Sequence, residues 1–79
     1  MNKNPTTMPL HDIYAVTFLD YKGYEPVLVR EGRRVTFFVP DEPAIYQLLG
    51  EFNGNPEIPL LDYLTHLKKI RAQMISVRG

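Results

Sequence analysis

The chain contains no cysteine, which excludes a disulfide framework and a thiolate metal site. Stability must therefore come from apolar burial, within one chain or against a second copy. No apolar run approaches the ~20 residues of a membrane span. The start, MNKNPTTMPL, lacks the continuous apolar stretch of a signal peptide. A soluble cytoplasmic protein is the expectation. Neither sign of charge is in excess, since nine basic residues balance nine acidic ones. A dedicated nucleic-acid binder is usually basic overall, so the balance argues against that class. There is no GxGxxG and no P-loop, and the one serine, Ser76, has no neighbouring base to activate it.

What is present fits one small globular domain: 79 residues, 44% hydrophobic and 23% charged. Residues 1–9 are polar, with Pro5, Pro9 and two threonines, and read as a loose arm ahead of a single domain over 10–79.

The organising stretch is Tyr24 to Pro40, YEPVLVREGRRVTFFVP, which reads as a β-hairpin around Gly32. An odd-numbered loop, 30–32 or 31–33, puts Val27, Val29, Val35, Phe37 and Val39 on one face, the expected core side. Leu28, Arg30, Arg34, Thr36 and Phe38 then fall on the other. A two-residue Glu31-Gly32 loop would mix these faces, a slip that is penalised where one face is buried.

Helices are expected to cover the hairpin, because two strands alone are marginal in water. Asp12 is a plausible N-cap for IYAVTFLDYK, with Gly23 as the residue that ends the helix. The same stretch is rich in β-branched and aromatic residues, so a strand is the alternative there. Asp41-Glu42-Pro43 starts a second helix, its acidic residues capping the free N–H groups. Its stripe is Ile45, Leu48, Leu49 and Phe52, and Asn53-Gly54-Asn55-Pro56 stops it. A last helix begins near Pro59 and carries Leu60, Tyr63, Leu64, Leu67, Ile70, Met74 and Val77 at steps of three and four. The predicted order is α-β-β-α-α, a fold of the α+β class.

With DIYAVTFLDYKGYEP, GRRVTFFVPD and the FNGN that closes the second helix in place, the chain resembles a family of short bacterial and phage proteins catalogued as a domain of unknown function. The resemblance covers roughly residues 10 to 75 and rests on structural motifs: a cap, a hairpin and a helix stop. Departures are His11 before the capping Asp12, and Ile58-Pro59 in place of a polar cap. The resemblance implies a fold and a bacterial or phage setting, and no activity.

Chemistry-bearing groups are few. His11 and His66 are the only histidines, and Asp62 and His66 form a single helical i,i+4 pair with no third ligand. No catalytic residue, metal or cofactor is expected. Arg30, Arg33 and Arg34 cluster at the hairpin tip and are candidate contacts for phosphates or an acidic partner, with Lys68, Lys69 and Arg71 as a second basic group. Phe38 is the candidate apolar contact, lying off the valine face. The leading expectation is a non-enzymatic interaction module that binds a protein partner or a second copy of itself, because unpaired strand edges and a small core both gain from association. The alternative is a small nucleic-acid-associated protein using the basic tip.

Overall fold

In the computed structural model, residues 6–79 are described. The chain runs through strand β1 (Thr7–Leu10), helix α1 (Ile13–Tyr21), strands β2 (Val27–Glu31) and β3 (Arg34–Pro40), then helices α2 (Pro43–Asn53) and α3 (Leu60–Arg78). The α+β class and the helix-covered hairpin stand as expected. The order gains a strand at its front, and the sheet is β1-β3-β2, antiparallel throughout, with β3 in the centre.

That front strand corrects the expected loose arm over 1–9 from Thr7 onward; residues 1–5 lie outside the described residues. Thr7–Leu10 pairs with β3, and the Asp41 N–H donates to the Thr6 carbonyl at 2.9 Å, extending the ladder. Only Met8 and Leu10 turn toward the helices, too short an alternation to mark a strand in sequence.

The hairpin register is also corrected. Glu31 pairs with Arg34 across a two-residue Gly32-Arg33 loop. Gly32 has φ +67° and Arg33 has no positive φ, the pattern of a type II′ turn with glycine in its first central position. Val27 then opposes Phe38 and Val29 opposes Thr36, which places both valines on the sheet face away from the helices. Val27 is 62% exposed and Val29 40%. Leu28, opposite Phe37, joins the core face in their stead. Val35, Phe37 and Val39 do face the core, as expected.

α1 is the element around which the rest is assembled. Asp12 caps it as predicted, its Oδ1 accepting from the N–H of Tyr14 at 2.9 Å and of Ala15 at 3.3 Å. Its C-terminus closes in a Schellman motif: Gly23 N–H donates to Asp20 O, Tyr24 N–H donates to Leu19 O, and Gly23 takes φ +100°. From Ala15 to Asp20 every residue is buried. A helix buried all round has no polar face, which is why its periodicity was ambiguous with that of a strand.

Two apolar clusters fix α1 against the sheet. Val16 meets Phe37 of β3 and Ile70 of α3, while Leu19 meets Val39 of β3 and Ile45 of α2. α2 starts with Pro43 in its first turn, but Glu42 at the cap position makes no side-chain hydrogen bond. The expected acidic cap is thus corrected: Asp41 instead accepts from the Tyr46 hydroxyl at 2.7 Å. In α3 Ile70 is fully buried, whereas Leu60, placed on the predicted stripe, is 67% exposed. The molecule measures 39 × 34 × 17 Å, a plate of one sheet and one layer of helices.

Candidate functional site

All three helices lie on one side of the sheet, and among the described residues no element covers its other face. The register puts Thr7 and Pro9 of β1, Arg34, Thr36, Phe38 and Pro40 of β3, and Val27, Val29 and Glu31 of β2 on that face. Phe38 of the central strand is directly opposite Pro9 on one side and Val27 on the other. The three form an apolar row across the whole sheet, with Val29 beside it. Thr36 is buried among these neighbours, and its hydroxyl donates to the Glu31 carboxylate. The sequence singled out Phe38; it missed Val27 and Val29 as its companions because the loop was placed one residue off.

The arginine tip is dispersed by the same register. Arg30 is paired with Val35 on the helix-side face, and its Nε donates to the Gly32 carbonyl at 3.0 Å. Arg33 lies in the turn, and Arg34 is on the open face opposite Glu31. The three guanidinium groups are thus carried on different sides of the hairpin. In the second basic group Lys69 is already engaged with carboxylates.

Those carboxylates belong to a polar cluster that sequence spacing did not reveal. Asp20, on buried α1, has a fully buried carboxyl group. Its Oδ2 lies 2.5 Å from Nδ1 of His66, and Lys69 Nζ donates to Oδ1 at 2.9 Å. Facing a carboxylate acceptor, Nδ1 is the donor of this hydrogen bond. Tyr21 stands edge-on to the imidazole at 5.6 Å. Glu25 lies 3.6 Å from Lys69 Nζ. The hydrogen bond to Asp20, above all, holds the Lys69 ammonium above its ordinary pKa. His66 therefore pairs with Asp20 across the fold and not with Asp62 along its own helix. The cluster fixes α1 to α3 and gives a buried carboxylate its partners.

A groove of about 370 Å³ lies between the end of α2 and the start of α3, lined by Phe52, Pro56, Ile58, Leu60 and Tyr63 with the amides of Asn53 and Asn55. Among the described residues no group of three or more His, Asp or Glu side chains is placed to hold a metal ion. Searches against family models, curated proteins and solved structures find no match, which neither supports nor opposes the family resemblance read from the sequence.

Proposed function

We propose that this chain is a non-enzymatic interaction module that associates with a second copy of itself, in a cytoplasmic, bacterial or phage setting. The observation that carries this reading is the apolar Pro9–Phe38–Val27 row on the uncovered face of the sheet. Scattered exposed apolar residues are ordinary on a monomer. Here the exposed Pro9 and Val27 flank a half-buried Phe38 in one cross-strand row, on a sheet whose outer edges are unpaired among the described residues, in a domain with a small core. Among the described residues no helix is long and apolar enough to cross a membrane. The alternative, nucleic-acid association, needs its basic groups on one surface, and the register separates Arg30 from Arg34.

The test is solution mass by light scattering across a dilution series, at low and high salt, for the wild-type chain and Val29→Lys. The expected outcome is a mass above the monomer that dilution reduces, that salt leaves unchanged, and that Val29→Lys lowers to the monomer. A monomer at every concentration overturns the reading.

A further inference from the structure

Among the described residues nothing pairs with the outer edges of β1 and β2, and the hydrogen-bond ladder makes the two edges inequivalent. The Asp41 N–H bonds to Thr6 O. Hydrogen-bonded and non-bonded pairs alternate along an antiparallel ladder. The Met8–Val39 and Leu10–Phe37 pairs are therefore bonded as well, and Phe37 and Val39 turn their backbone groups toward β1. Arg34, Thr36 and Phe38 then turn theirs toward β2, where Glu31, Val29 and Val27 receive them. On β1 the outward-facing residues are Thr7 and Pro9; on β2 they are Leu28 and Arg30. Pro9 has no N–H, so the β1 edge is interrupted where a neighbouring strand needs a donor. Within Val27–Glu31 the β2 edge carries no such block.

We propose that β2 pairs with β2 of a second copy, antiparallel, about a two-fold axis through Val29. This deepens the self-association reading and rests on it. The outward residues permit three symmetric alignments. Leu28 opposite its own copy sets Arg30 against Pro26, which has no N–H to offer. Arg30 opposite its own copy brings like charges together. Leu28 opposite Arg30 of the second copy uses every free backbone group of β2, opposes no like charges and brings the two Val29 side chains together on the open face. Strand and partner are self-complementary in that one register, the requirement for an isologous contact. Joining there makes one continuous sheet, β1-β3-β2 followed by its inverse, with the two Val29 side chains as the apolar contact at the junction. A strand of five residues buries less than the ~1,200 Å² of a standard interface, so the pair exchanges with monomer.

The absence of cysteine supplies the test. Val29→Cys introduces a single thiol at a partly exposed position, and in the proposed register the two thiols face each other within disulfide reach. Under mild oxidation V29C should cross-link at least roughly ten times faster than Val27→Cys, whose cross-strand neighbour is Glu31 of the second copy. Arg30→Pro deletes an outward N–H without touching the ladder to β3, and should reduce both the dimer mass and the cross-link introduced alongside it. The ratio of the V29C and V27C rates does not depend on whether the proline variant folds. A wild-type dimer whose V27C links as fast as V29C overturns the edge pairing and leaves self-association standing. A wild-type monomer at every concentration overturns both.

Discussion

Asp20 in the last turn of α1 and His66 on α3 are 46 positions apart in sequence and 2.5 Å apart in space, with the carboxylate entirely shielded from solvent. The pair is shared with Lys69, so both carboxylate oxygens are satisfied. Truncating Asp20 to alanine removes this junction and should cost about 1–3 kcal/mol, the range for a lost hydrogen-bonded partner in a buried site. A double-mutant cycle of Asp20→Ala and His66→Ala in urea should return a coupling of at least about 0.5 kcal/mol. Strict additivity would show that α1 and α3 are held by apolar contact alone.

The register makes a sharp distinction between neighbours on β2 and α3. Ile70→Ala empties the contact with Val16 and Phe37 and should destabilise by about 2–5 kcal/mol. Val27→Ala, on the open face, should leave the stability of the dilute monomer within about 0.5 kcal/mol. Chemical denaturation of the two variants checks this, and a large loss at Val27 would contradict the placement of the hairpin.

Two glycines should respond with opposite sign. Gly50, exposed in α2 with open space where a Cβ would project, is replaceable by alanine with a gain of about 0.5–1 kcal/mol. Gly23, at φ +100° in the Schellman turn, should lose about 1 kcal/mol or more on the same change. Thermal melting of both variants reads the signs directly.

Alkaline pH should loosen the fold. Burial, followed by the nearby Asp12 charge, raises the Tyr63 phenol above its ordinary 10.0, and the Asp20 hydrogen bond raises Lys69 above 10.5. Both groups are held in their protonated forms by the folded state. Their contribution is complete below the unfolded values and disappears as pH climbs through the raised folded ones. Stability should therefore decline above about pH 10, where these groups begin to titrate in the unfolded chain. Tyr63→Phe should remove part of that decline, along with the hydroxyl's 2.9 Å bond to the Tyr14 carbonyl.

The sequence was informative where one local rule acted alone. Asp12 and Gly23 bracket α1 as their capping chemistry dictates, and Ile45, Leu48, Leu49 and Phe52 line one side of α2. It was misleading where two rules competed. Keeping Val27, Val29, Val35, Phe37 and Val39 on one side favours an odd loop, yet glycine's fitness for the first position of a tight turn prevails and turns Val27 and Val29 outward. The candidate surface was legible through Phe38 alone. Asp20 was invisible as a site residue because its partners come from another helix, and no spacing along the chain encodes such a meeting.

The open face has a consequence for how this chain changes over generations. Folding constrains Val16, Phe37 and Ile70 tightly, because each fills space that nothing else can fill. It exerts no comparable hold on Val27 or Val29, which the sheet presents outward. Left to stability alone, these positions would drift toward threonine, lysine or glutamate, residues that serve equally well on a wet strand. Persistent apolarity at 27, 29 and 38 across descendants would therefore record selection by a contact outside the monomer, separable in principle from the selection that preserves its core.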